Sequence, residues 1–99
     1  MITASSGDAA LAAAAQHHPD LVLLDIGIPE PNGFEVCRRL KRDPATSGIP
    51  IMFMSGLAPA ALEIAARELG ADDYVAKPID AYEIRLRIRH VLERARAAQ

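Results

Sequence analysis

Leu21-Val22-Leu23-Leu24-Asp25 is an unbroken apolar run closed by a carboxylate, with Pro29, Asn32 and Gly33 soon after it. A run that is apolar at both parities reads as a strand covered on both faces, the pattern of parallel sheets. Two later runs have the same form. Ile51-Met52-Phe53-Met54 leads to Ser55, and Tyr74-Val75-Ala76 leads to Lys77. In an open parallel sheet the strand C-termini share one edge, and ligands bind there. A carboxylate, a hydroxyl and an ammonium are therefore expected to meet at one rim. Such a trio can hold a phosphoryl group covalently on the aspartate.

Working outward, the apolar runs alternate with helical segments joined by short turns, which predicts a parallel α/β domain. Residues 1–5 can form a short strand. Ser6-Gly7-Asp8 offers N-cap chemistry for an alanine-rich helix from Ala9 to His17, which Pro19 stops. Asn32 and Glu35 have capping-box spacing ahead of Val36, Cys37 and Leu40. Asp43-Pro44 ends that helix, and Ile49 to Met54 is the next strand. Pro59 fits the first turn of a further helix. Leu62, Ala65, Ala66 and Leu69 are its apolar stripe, and Gly70 its C-terminal cap. Asp80 and Glu83 mark the start of the last helix. There Ile84, Leu86 and Ile88 alternate with Arg85, Arg87 and Arg89, a strand pattern. Length and the helical spacing of Ile84, Ile88 and Val91 favour helix.

Composition bounds the function. Ninety-nine residues, 51% hydrophobic and only 4% aromatic, fit one domain (1–99) with an aliphatic core. A net charge of −2 gives no general reason to expect nucleic-acid or membrane partners. The lone Cys37 excludes an intrachain disulfide. No signal peptide or bilayer-length apolar run is visible, so a soluble cytoplasmic protein is expected. Taken singly, each candidate also has a plain structural role. Asp25 reads as a turn residue, Ser55 as a loop hydroxyl, Lys77 as a surface charge and Tyr74 as packing. The last helix's arginines read as a solvated face, and Asp72-Asp73 as a loop or strand start.

The segments PDLVLLDIGIPEPNGFEVCRRLK, IPIMFMSG, GADDYVAKPID and MITASSGDAAL together resemble the receiver domain of bacterial two-component response regulators. The resemblance implies a flavodoxin-like receiver fold, a parallel sheet with flanking helices. It assigns Asp25 as phosphoacceptor, Ser55 as the hydroxyl that senses the phosphoryl group, and Lys77 as the invariant lysine. Pro78 matches the proline after it, whose preceding bond is usually cis in the family. Tyr74 matches the aromatic switch, Gly33 the loop glycine, and Gly27 the residue whose carbonyl binds metal. A sensor histidine kinase or phosphotransfer protein is the implied partner.

The chain departs from the resemblance at its start, where the family's first strand and helix have no counterpart. The acidic pair that holds Mg²⁺ belongs to that missing βα unit. Mg²⁺ binding through Asp25 and the Gly27 carbonyl is therefore expected to be weak, and phosphorylation impaired, with Glu30 as a substitute ligand. Family strand order 2-1-3-4-5 makes the missing strand central. The Ile2–Ser5 strand is then expected either to close on the Leu21–Asp25 strand or to pair with another subunit. A homodimer covering a bare sheet face around Leu21–Leu24 is expected. With no output domain after the last helix, action through protein–protein contact is expected. The alternatives are a phosphorylation-independent dimerising pseudo-receiver and, in another class, a haloacid-dehalogenase-like phosphatase. The latter lacks its second aspartate, because Gly27 stands two residues after Asp25. The chain is therefore not expected to be an enzyme.

Overall fold

Strand and helix alternate from end to end in the computed structural model, which describes residues 2–4, 6–25, 32–56, 60–76 and 80–97. The order is β1 (Ile2–Ala4), α1 (Gly7–His17), β2 (Val22–Asp25), α2 (Gly33–Arg42), β3 (Ile51–Ser55), α3 (Ala60–Glu68), β4 (Asp73–Ala76) and α4 (Ala81–Ala97). The strands form one sheet in the order β1-β2-β3-β4, every neighbouring pair parallel. Of the two arrangements open to the first strand, the chain adopts closure upon itself. Ile2, Thr3 and Ala4 lie in register with Val22, Leu23 and Leu24.

The alternation of β2 divides the core. Val22 and Leu24 join Ala10, Ala14, Val36, Leu40 and Ala66 from the three earlier helices. Leu21 and Leu23 join Met52, Val75 and Val91, with Ile84, Ile88 and Leu92 of α4 packed against them. The expected bare face is therefore not found at these residues. Leu21 is 0% and Leu23 5% exposed within a single chain. The physical reason is that Ile84, Ile88, Val91 and Leu92 of α4 pack against Leu21, Leu23, Met52 and Val75 within one chain.

Local chemistry sets the element ends. Ser6 Oγ accepts from the Ala9 amide at 3.2 Å, so α1 starts two residues before Ala9. The helix closes on His18 in the left-handed region at φ 45°, ahead of Pro19. Asn32 Oδ1 accepts from the Glu35 amide at 3.0 Å and caps α2. The capping box is half made, because the Glu35 carboxylate turns to Arg38 and Arg39. After α3, Gly70 at φ 96° allows the Ala71 amide to reach Ala66 O at 3.1 Å and its own amide to reach Arg67 O at 3.0 Å. Those two bonds form a Schellman cap. Pro59 lies outside the described residues. The ambiguous Ile/Arg stretch is helical. Asp80 Oδ1 accepts from the Tyr82 amide at 2.8 Å, and Val91 seals the inner face.

Candidate functional site

Asp25 is the last residue of β2 and is half-buried, opposite Met54 in register. Ser55, the next residue on β3, ends that strand and is only 2% exposed. It lies in register with Ala76, the last residue of β4. The three strands thus end nearly level, so Asp25 and Ser55 both stand at the carboxyl edge of the sheet. Lys77 follows Ala76 directly in the chain, but it falls outside the described residues. Gly27, Glu30 and Pro78 fall outside them too.

Tyr74 pairs with Phe53 and is buried beside it in the three-helix side of the core. It has the same strand parity as Ala76, the register partner of Ser55. Tyr74 and Ser55 are therefore diagonal neighbours on one face of the sheet. Asp25 has the parity of Leu23, which belongs to the α4 side. Asp25, Ser55 and Tyr74 are each engaged in an interaction.

The rim is level because β4 is anchored at its other end, and here sequence reasoning missed the important residues. Asp72 Oδ2 accepts from the Ile51 amide at 2.9 Å and lies 3.8 Å from Lys41 Nζ. Arg94 Nη2 donates to the Asp72 carbonyl at 2.8 Å. Asp73 takes Arg87 Nη1 on both carboxylate oxygens at 3.3 Å, with Arg67 at 3.6 Å. Burial opposes the Arg87 charge, but the Asp73 and Glu83 carboxylates outweigh it and raise its pKa. The signal present in the sequence is an acidic pair, Asp72-Asp73, ahead of a helical segment whose Arg87 and Arg94 are seven residues apart and so share a face. Cys37 plays no part in the rim. It is buried in the core, and burial pushes its thiol up to about 11.

Among the described residues no three His, Cys, Asp or Glu side chains come together as a metal site. The described part of the rim offers Mg²⁺ one carboxylate, Asp25. That is a sparse fit, since Mg²⁺ is usually held by one or two carboxylates together with water and phosphate oxygens. A separate cleft of about 350 Å³ lies at the opposite end of the strands, between Asp20, Pro50 and Arg96. No helix among the described residues is long and apolar enough to cross a membrane.

In open parallel α/β sheets ligands bind at the carboxyl ends of the strands, the edge where Asp25 and Ser55 stand here. The chain belongs to the response regulator receiver domain family, whose model matches residues 1–89. Receiver domains are signalling modules that work with histidine kinases, which sets the phosphatase reading aside. The chain is 43% identical over 98 residues to the probable transcriptional regulator ycf27 of Guillardia theta, covering 99% of this chain and 37% of that protein. It is 42% identical over 83 residues to the DNA-binding dual master transcriptional regulator RpaA of Synechocystis sp., covering 84% of this chain and 34% of that protein. The chain thus spans little more than a third of these curated relatives. A solved structure of a putative response regulator from Chloroflexus aurantiacus is similar at 32% identity and TM-score 0.85, covering 91% of this chain and 74% of that one. A CheY-like receiver domain protein from Methanospirillum hungatei has the same fold at 21% identity and TM-score 0.86, covering 95% of this chain and 74% of that one.

Proposed function

We propose that the chain accepts a phosphoryl group on Asp25 from a sensor histidine kinase or phosphotransfer protein and passes the signal on by protein contact. The observation that carries this reading is the rim itself, where Asp25 and Ser55 end adjacent paired strands. In this reading Asp25 Oδ attacks phosphorus and the donor leaves with the bonding electron pair. An acyl phosphate results. Ser55 donates a hydrogen bond to one phosphoryl oxygen, and Lys77 neutralises another. Tyr74 reports the change by shifting its ring within the core it shares with Phe53.

Catalysis of this kind depends on positioning and charge neutralisation. Mg²⁺, when bound by Asp25 and the Gly27 carbonyl, supplies part of that neutralisation. Among the described residues Asp25 is the one carboxylate at the rim, and on that donor set we infer weak Mg²⁺ binding and slow phosphorylation. The DNA-binding role named for the Synechocystis relative belongs to that longer protein.

Incubation with a small-molecule phosphodonor and Mg²⁺, followed by intact mass, tests the reading. The expected result is a slow gain of one phosphoryl group that Asp25→Asn abolishes. A gain that persists in Asp25→Asn, or none at any Mg²⁺ concentration, would leave the phosphorylation-independent reading in its place.

A further inference from the structure

We infer that the cleft at the amino edge of the sheet binds a small zwitterion with an apolar body, a free aliphatic α-amino acid. The inference stands apart from the Asp25 rim, which lies at the other end of the strands. The cleft holds about 350 Å³ and is enclosed by the turn between α1 and β2, the turn between α2 and β3, and the last turns of α4. Its titratable lining is His18, Asp20 and Arg96. Asp20 and Arg96 carry opposite charges and share the cleft, yet they are not paired with each other. Both are exposed, and neither side chain forms an ion pair or a hydrogen bond among the described residues.

The floor of the cleft leaves little else for a polar ligand to hold. Ile49 and Pro50 are buried there, and Leu92 is half-buried. Three prolines in the lining, Pro19, Pro44 and Pro50, have no amide hydrogen to donate. Carbonyls of the floor are already engaged. Ile49 O accepts from Lys41 Nζ at 3.1 Å, and Pro50 O accepts from the Val22 amide at 2.9 Å. A ligand lying on this floor gains by burying hydrocarbon. Its polar ends are left to Asp20 and Arg96.

Charge selects the occupant. Helices α1, α2 and α4 all end at this edge, at His17, Arg42 and Ala97. Helix C-termini carry partial negative charge, and Asp20 adds a full one. An ammonium is therefore favoured beside Asp20. A carboxylate can take the Arg96 guanidinium through two parallel hydrogen bonds. An inorganic anion would suit Arg96 and His18 but would meet Asp20 and the helix ends. A metal cation would find no group of three His, Cys, Asp or Glu side chains among the described residues. A zwitterion answers both charges, and an aliphatic side chain answers the floor.

The test titrates leucine into the isotope-labelled whole chain and follows the backbone amide shifts by NMR. Saturable shifts centred on residues 18–20, 44–50 and 92–96 are expected. N-acetyl-leucine lacks the ammonium and leucinamide lacks the carboxylate, so each should bind about tenfold or more weakly than leucine. Glycine, without the apolar body, should also bind more weakly. Asp20→Asn should weaken leucine by a similar factor and leave N-acetyl-leucine unchanged. Arg96→Gln should weaken leucine and leave leucinamide unchanged. Both residues are at the surface, and the same spectra show whether each variant is folded. The analogue series on the parent chain decides the matter without any variant. No saturable shift up to the solubility of leucine, equal binding of the two blocked analogues, or indifference of folded variants to both substitutions would overturn the inference.

Discussion

Asp72 and Ile51 exchange two hydrogen bonds. The Asp72 amide donates to the Ile51 carbonyl at 2.8 Å, and the Ile51 amide donates to Asp72 Oδ2 at 2.9 Å. One residue opens β3 and the other immediately precedes β4, so this pair fixes where the two strands begin. Because the register then runs in step to Ser55 and Ala76, the clamp at the lower edge determines the level of the rim at the upper edge.

Asp72→Ala should therefore destabilise the fold. It leaves the Ile51 amide without its acceptor, at a cost of about 1–3 kcal/mol. Asp72→Asn keeps an oxygen in place and should lose less. The Arg94 contact uses the backbone carbonyl and survives both changes. Urea unfolding at constant m-value measures the difference. An alanine variant within a few tenths of a kcal/mol of the parent would show that the clamp does not hold the strands.

Cys37 gives a prediction at alkaline pH. Burial raises its thiol from 9.0 to about 11 in the folded chain. The unfolded chain therefore loses that proton first as pH rises. The resulting stability is fully present below about pH 9 and is lost as pH climbs through about 11. The native thiol should resist alkylation at pH 8 and react fully in denaturant. Cys37→Ala should remove this contribution to the alkaline limb of stability. A native thiol that reacts as fast as the denatured one would contradict the burial.

Much of this architecture is legible in the sequence for a plain reason. Leu21–Asp25, Ile51–Ser55 and Tyr74–Ala76 each combine an apolar run with a polar terminus, and both features are local. The arginine-rich last segment is harder, because Ile84, Leu86 and Ile88 satisfy the strand period as well as the helical one. Leu86 settles it by being exposed while Ile84, Ile88 and Val91 pack inward. The closure of β1 on β2 depends on backbone geometry over three residues, which no side-chain pattern specifies. Nor could the cover over Leu21 and Leu23 be read, since it depends on how far one helix reaches across the sheet. The Glu35 pairing, by contrast, is local and legible in the sequence. Arg38 and Arg39 stand three and four residues after it, the spacing at which helical side chains meet.

That cluster predicts behaviour in acid. Hydrogen bonds from Arg38 and Arg39 hold the Glu35 carboxyl below its ordinary value of 4.5. A depressed folded pKa stabilises the fold above the ordinary value, and the benefit disappears as pH falls through the folded one. Glu35→Gln should thus lower the thermal midpoint at neutral pH, and the gap to the parent should narrow below pH 4.5. Since the cluster is at the surface, added salt should shrink the gap as well. Midpoints measured across pH at two salt concentrations decide it. A gap that does not change with pH would mean that Glu35 acts through something other than its charge.

A homodimer was expected in order to hide apolar sheet surface, but α4 covers Leu21 and Leu23 within one chain. The large apolar side chains left exposed among the described residues are Ile64 on α3 and Tyr82 and Leu86 on α4. Burying apolar surface yields about 25 cal/mol per Å², and association must first offset an entropic cost of at least about 4 kcal/mol. Three partly exposed side chains on two helices give little surplus over that cost for a copy of the same chain, whose α4 face repeats the like charges of Arg85, Arg89 and Arg96. The chain should therefore run as a monomer in dilute size-exclusion chromatography with light scattering. Leu23→Asp, which places a charge in the covered face, should unfold it rather than change its oligomeric state. A dimer that persists on dilution, and that Leu23→Asp dissociates into folded monomers, would show that the sheet face is closed by a second copy and not by α4.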